Sequence, residues 1–228
     1  MTMNLKFPEA RLIVFAKAPV PHQVKTRLIP HLGVEGATQL HQQLAWQSIS
    51  TAAAAQLCPV QLWCAPAIEH PFFQSCQDHF AVTLHQQQGD DLGARMAEAF
   101  KETLQDCRYA VIIGTDCPAL TRHDLDQALT ALREGYDAVI GPAEDGGYVL
   151  LGLRLFNASL FENIGWGSAE VLRITRERLA QLHWRCHELT TQWDVDRPED
   201  IERLRQSGIL RDMPDSSPII TRTSINGK

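Results

Sequence analysis

Residues 109–115 read YAVIIGT, and the five from Tyr109 to Ile113 are apolar without a break. A strand with one wet face alternates apolar and polar side chains, whereas an uninterrupted short run suits a strand covered on both faces. RLIVFAK (11–17), PVQLWCA (59–65), FAVTLHQ (80–86) and YDAVIGPA (136–143) also read as strands. Helical spacing lies between them: Leu40, Leu44 and Ile49 in a longer helix over 33–55; Leu92, Met96, Ala99, Phe100 and Leu104; Leu125, Ala128, Leu129 and Leu132. Thr121 is placed to cap the last of these, with Asp124 three residues on. Further helices are expected near 168–182 and 198–206. The alternation predicts an α/β fold with a mainly parallel sheet flanked by helices. GYVLLGLR (147–154) follows the fifth strand at once and is expected to pair antiparallel.

The 228 residues suit one domain, 1–206, followed by a loosely ordered tail, 207–228, that is polar and lacks periodicity. Hydrophobic residues make up 44% of the chain, enough for a core. A net charge of −6 argues against a broad nucleic-acid-binding face, so any anion site must be local. The six cysteines have no CxxC spacing and read as reduced core thiols. The N-terminal segment lacks a signal-peptide layout, and no stretch approaches the roughly 20 apolar residues of a membrane helix. A cytoplasmic protein without a membrane partner is expected.

In open α/β sheets, ligands bind at the carboxyl ends of the strands. The first such segment, FAKAPVPHQVKTRLIP, is stiffened by Pro19, Pro21 and Pro30. It carries Lys17, Lys25 and Arg27 with no carboxylate among them, which suits a phosphate: arginine grips it with a fork of donors, lysine acts as a point charge. No GxxxxG precedes Lys25-Thr26 and no GxGxxG occurs, which disfavours a Walker A loop or a classical dinucleotide fold. Four later segments bring carboxylates: Asp90 and Asp91 in GDDLGARM, Asp116 in GTDCPAL, Glu144 and Asp145 in EDGGY, Asp194 and Asp196 in WDVDRPED. Cations on one side and carboxylates on the other fit a phosphate bridged by a divalent metal.

Asp116 ends a buried strand, while Thr121 already serves the following helix, so Asp116 is the first metal candidate. Asp145, beside Gly146-Gly147, is expected to bind metal or act as a base. Asp196 and Glu199 read as a capping pair for the helix at 198, which leaves Asp194 as a further metal candidate. His183 and His187 in HWRCHEL are spaced for zinc on a helix, but the segment reads as a strand, where they lie two pleats apart.

Taken in series, FAKAPVP, VKTRLIP, GDDLGARM, GTDCPAL, GPAEDGGYVLLGL, IGWGSAEVL and WDVDRPEDIERL resemble a bacterial family of GT-A-like glycosyltransferases of largely unknown substrate. Some of its members are associated with radical-SAM gene clusters and arsenosugar biosynthesis. The resemblance covers about residues 10–206 and implies a single-domain nucleotide-diphospho-sugar transferase fold. The wider superfamily also holds nucleotidylyltransferases such as 2-phospholactate guanylyltransferase, with a similar Lys-rich N-terminal loop. Two departures stand out. Where the family commonly has Gly and a basic residue, this chain has His22-Gln23, and its counterpart of the metal-binding DxD is Thr115-Asp116-Cys117, with one carboxylate.

The function expected is a glycosyltransferase using a nucleotide-sugar donor, a small-molecule acceptor and Mg²⁺ or Mn²⁺. Asp145 and Lys25 are the catalytic candidates, and Asp116, Asp145 and Asp194 the metal ligands. Lys17, Pro19, Lys25, Thr26, Arg27, Asp91, Arg95, Gly146, Gly147, Tyr148 and Trp166 are expected at the substrate. The rival readings are a nucleotidylyltransferase acting on a phosphorylated small acid and a non-catalytic nucleotide-binding module.

Overall fold

The computed structural model describes residues 5–209. Seven strands form one sheet: β1 (Ala10–Lys17), β2 (Val60–Ala65), β3 (Val82–Gln86), β4 (Tyr109–Ile113), β5 (Ala138–Pro142), β6 (Tyr148–Leu153) and β7 (Cys186–Glu188). Their spatial order is β3-β2-β1-β4-β6-β5-β7. The helices are α1 (Ile29–Ala54), α2 (Pro71–His79), α3 (Leu92–Thr103), α4 (Arg122–Arg133), α5 (Val171–Gln181) and α6 (Pro198–Ser207). The mainly parallel α/β sheet flanked by helices is the architecture expected. The part of the expected tail from 210 onward lies outside the described residues.

Alternating side chains of the central strands feed two cores. Leu12 and Val14 of β1 pack with Ile49 of α1, Phe73 of α2 and Leu125 of α4. Ile13, one residue out of phase, packs with Met96 and Phe100 of α3 and with Leu172 and Leu179 of α5. A third cluster joins Leu40 and Leu44 of α1 to Val195, Ile201 and Leu204, seating α6. The nine-residue α2 was not anticipated. Its apolar stripe is only Phe72, Phe73 and Cys76, and it starts on Pro71, whose missing N–H suits a first helical turn.

β6 is the one reversed strand, antiparallel to both β4 and β5 as expected. β5 therefore runs parallel to β4, and the β5–β6 turn emerges beside the end of β4. Gln192 continues this edge: its N–H donates to the Pro142 carbonyl (2.8 Å) and its carbonyl accepts from Glu144 N–H (3.0 Å). Three residues on, Val195 N–H donates to the carbonyl of Asp116 (3.0 Å). Segments distant in sequence thus lie side by side.

The capping box read from Thr121 and Asp124 is present. Asp124 Oδ2 accepts from Thr121 N–H at 2.8 Å, and Thr121 Oγ1 accepts from Asp124 N–H at 3.4 Å. Thr121→Ala is expected to lower stability by about 1 kcal/mol, read as a lower urea midpoint at unchanged slope.

Candidate functional site

β1 ends at Lys17, and the loop beyond it doubles back under strain. His22 and Lys25 hold φ of 64° and 45°, left-handed values that cost a non-glycine residue on the order of 1–2 kcal/mol. A glycine at the His22 position would take this conformation without strain, so the departure noted above carries a backbone cost here. Lys25 keeps its conformation because its buried ammonium is held by two hydrogen bonds and an ion pair. Nζ donates to the Val195 carbonyl at 2.6 Å and to Asp196 Oδ1 at 3.0 Å, and lies 2.6 Å from Asp116 Oδ1. Its side chain is 4% exposed. The expectation of three bare cations is corrected here: the carboxylates missing from the loop arrive from positions 116 and 196.

Asp116 sits just past β4 with Oδ1 sealed against Lys25, yet its side chain as a whole is 46% exposed. One oxygen is committed and the rest of the group is open to the cleft. Burial works to raise its pKa, but the charge and hydrogen bond of Lys25, helped by His41, outweigh that and hold it below the usual carboxylate range. Burial likewise works to lower Lys25, and Asp116 with Asp196 reverses the sign.

Asp194 behaves oppositely. Burial, then the charges of Asp145, Asp196 and Asp116, push its carboxyl up to about 6. Asp145 Oδ1 accepts from Gly147 N–H at 2.9 Å, closing the turn, while the residue stays exposed. Glu144, its neighbour, is drawn away into a two-pronged pair with Arg203 of α6 (2.6 and 3.0 Å). The expected cap by Asp196 and Glu199 is also corrected. Asp200 Oδ2 accepts from the N–H groups of Asp196 and Arg197 (2.9 and 2.7 Å), which frees Asp196 for Lys25.

These groups line one cleft of about 610 Å³ at the carboxyl edge. Of the residues expected there, it brings together Lys17, Lys25, Thr26, Arg27, Arg95, Asp116, Asp145, Tyr148 and Asp194. Lys17 and Arg95 are held by backbone carbonyls, of Gln23 (2.7 Å) and Gly89 (2.9 Å), and Arg27 stands 3.6 Å from Asp196 with 65% of its side chain exposed. Gly147 and Trp166 line an adjoining cavity of about 200 Å³.

Pro19, Asp91 and Gly146 line neither space. Asp91 caps α3 by accepting from Ala94 N–H (2.8 Å). Gly146, at φ +90°, lets α5 approach: a Cβ there would lie 2.3 Å from the Ala169 carbonyl oxygen. Two contributors went unread in the sequence. His41, buried on α1, donates Nε2–H to the Lys17 carbonyl (2.8 Å), and burial lowers its pKa. Gln87 donates to the carbonyls of Ala16 (3.2 Å) and Trp63 (2.8 Å), tying the ends of β1 and β2. Neither sits in a motif; each is recognisable only from where its carbonyl partner ends a strand.

Residues 48–168 match the model of a family described as uncharacterized protein conserved in bacteria (DUF2064). The chain belongs to that family. The DUF2064 match includes Arg95, Asp116, Asp145 and Tyr148, while the basic loop and Asp194 lie outside it. Among solved structures, the chain is similar to a protein from Desulfovibrio desulfuricans G20 provisionally named a nucleotide-diphospho-sugar transferase. The two are 29% identical over 88% of each chain, with a TM-score of 0.80. Two further likenesses show the fold alone. One is to a 4-diphosphocytidyl-2C-methyl-D-erythritol synthase from Anaerococcus prevotii DSM 20548 (11% identity, 88% of this chain and 96% of that, TM-score 0.56). The other is to a nucleotidyl transferase from Methanothermobacter (15% identity, 89% of this chain and 98% of that, TM-score 0.56). No curated protein matches the chain. The fold is that of the nucleotide-diphospho-sugar transferases, as the resemblance implied. None of the helices described is long and apolar enough to cross a membrane.

The raised Asp194 gives a stability test. Its folded value, about 6, lies above its ordinary 3.8, so the folded state holds this proton more tightly and gains stability as pH falls through that window. In a chelator, Asp194→Asn is expected to be more stable than the parent by about 1 kcal/mol at neutral pH, with solvent screening allowed for. The advantage should shrink as pH drops towards 4. Asp116, shifted downward, loses its contribution as pH falls, but does so in both proteins. Urea unfolding of the pair at neutral and acid pH isolates the difference.

Proposed function

We propose that the protein is a metal-dependent glycosyltransferase that uses a nucleotide-diphospho-sugar donor and a small-molecule acceptor. One observation carries this reading: a single cleft at the carboxyl edge presents Lys17, Arg27 and Arg95 together with Asp116, Asp145 and Asp194. Its size, about 610 Å³, lies within the roughly 300–1,000 Å³ usual for ligand sites.

The donor set fits Mg²⁺ or Mn²⁺, which favour carboxylate, phosphate and water oxygens. The crowding that raises Asp194 is relieved by a cation. Among the described residues no group of three or more His, Cys, Asp or Glu is arranged to hold a metal alone. The fit is therefore that of a shared site, with Asp116 and one of Asp145 or Asp194 as protein ligands and the donor's phosphates supplying the others. An ion held there would supply charge stabilisation to the departing diphosphate.

The chain's own groups do the rest. Arg27, Lys17 and Arg95 bind the diphosphate and Thr26 adds a hydroxyl. Lys25, bonded to Val195 and Asp196 and ion-paired with Asp116, acts as a positioning residue that aims the open part of Asp116. Asp145 takes the proton of the attacking acceptor.

The test is a panel of UDP-, GDP-, ADP- and dTDP-sugars incubated with Mn²⁺ and no acceptor, beside NTPs with a phosphorylated small acid. Slow release of nucleoside diphosphate from one donor is expected. Pyrophosphate released from an NTP, with every nucleotide-sugar intact, would overturn the proposal in favour of nucleotidylyl transfer. Binding without any turnover would leave a nucleotide-binding module.

Two variants probe the parts. Asp116→Asn should abolish the metal-dependent share of nucleotide binding in calorimetry while the fold persists. Arg27→Ala should weaken nucleoside diphosphate by about 10- to 150-fold, the equivalent of one charge-assisted bond of roughly 1.5–3 kcal/mol. The bare nucleoside should be unaffected.

A further inference from the structure

The adjoining cavity differs in character from the main cleft. Its wall is made largely of Phe15, Leu92, Met96, Tyr148, Trp166 and Val171. It shares Phe15, Leu92 and Tyr148 with the main cleft, so the two spaces adjoin, and Asp145 and Asp194 line both. Leu92, the first residue of α3, is 47% exposed at this mouth. Among the described residues only Leu155 is another exposed large apolar side chain. An uncovered leucine on the rim of an apolar cavity is surface that a ligand's apolar body would remove from water.

A sugar would fare poorly in that space. Each hydroxyl group buried without a partner is penalised; the Trp166 Nε1–H faces Gly93 of α3 and the Tyr148 hydroxyl lies by Thr175, so away from the carboxylates the wall is mostly apolar. At about 30 Å³ per water molecule, the cavity's 200 Å³ corresponds to about seven waters. That is room for one ring or a short branched chain.

We infer that this cavity binds a small hydroxyl compound with an apolar body, an alcohol or phenol, with its hydroxyl at the junction beside Asp145. Resting on the donor reading above, this compound is the acceptor, and the donor's sugar stays in the main cleft. The transfer then balances. The hydroxyl oxygen bonds to the anomeric carbon, and the bond from that carbon to the β-phosphate oxygen breaks with its electron pair going to the nucleoside diphosphate. The hydroxyl proton passes to Asp145.

Benzyl alcohol is the probe, with glucose and glycerol as polar counterparts. Saturation-transfer NMR should show benzyl alcohol bound through its ring and the two polyols bound weakly or not at all. Leu92→Glu puts a charge on the rim at a first-turn position where a carboxylate suits the helix dipole, so the fold should persist. It should weaken benzyl alcohol at least about fivefold, as loss of roughly 1 kcal/mol of apolar burial implies. Leu92→Ser, with less apolar surface and no charge, should weaken it in the same direction.

With a donor accepted in the panel above, mass spectrometry should find the benzyl glycoside. Polyols binding as well as benzyl alcohol, or affinity for benzyl alcohol unchanged in both variants, would overturn the cavity's assignment. A donor transferred to polyols but not to benzyl alcohol would overturn it too, and would leave the donor reading intact. Benzyl alcohol bound in the cavity with no nucleotide-sugar consumed would sustain the binding site and sink the donor reading instead.

Discussion

The ammonium of Lys25 fixes three distant parts of the chain to one another. It bonds the carbonyl of Val195 and reaches the carboxylates of Asp116 and Asp196. Removing such a partner leaves carboxylates facing each other with less charge to offset them, a costlier state than never having built the pair. The strained backbone at Lys25 fits this. A left-handed lysine is tolerated because the ends it joins are otherwise fixed, by the strand bearing Asp116 and by the hydrogen bonds that bring Val195 to it. The basic loop is better understood as a clasp flanked by two further cations, Lys17 held by the Gln23 carbonyl and Arg27 loosely paired with Asp196, than as a bare anion trap.

The charge pattern of the cleft follows. Asp116 and Asp196 are offset by Lys25, with Arg27 near Asp196, whereas among the described residues Asp194 has no basic partner and is pressed by its neighbours. The acidic side is thus neutralised at its base and charged at its lip. On the proposed function, that acidic lip is where a cation carried by the donor would be received.

Much of this was legible in the sequence because it depends on local pattern. The uninterrupted run Tyr109–Ile113 gave away a doubly covered strand, Thr121 and Asp124 the cap, and the quick succession of β5 and β6 the reversed strand. The rule that ligands gather at strand ends then led to Asp116, Asp145 and Asp194. What stayed hidden depends on pairings across the fold. Asp196 reads as a cap because its true partner lies 171 residues away, and Asp200, which accepts from the N–H groups at the helix start, has no signature of its own in the sequence. Lys25 looked bare for the same reason. His41 carries no motif at all, and α2 was missed because three apolar side chains in nine residues are too few to set a period.

Trp166 owes its place to a residue that touches neither cavity. A Cβ on Gly93 would lie 2.3 Å from the indole Nε1 and 2.5 Å from Cε2. The width of the apolar space is therefore set from behind its wall, by an absent methyl group on α3. One methyl added at this position would push the indole inwards or force it out, altering which molecules fit while leaving every charged group of the cleft in place. In a lineage that diversified its acceptors, position 93 would be a point where small genetic steps yield large changes in ligand choice without disturbing the chemistry.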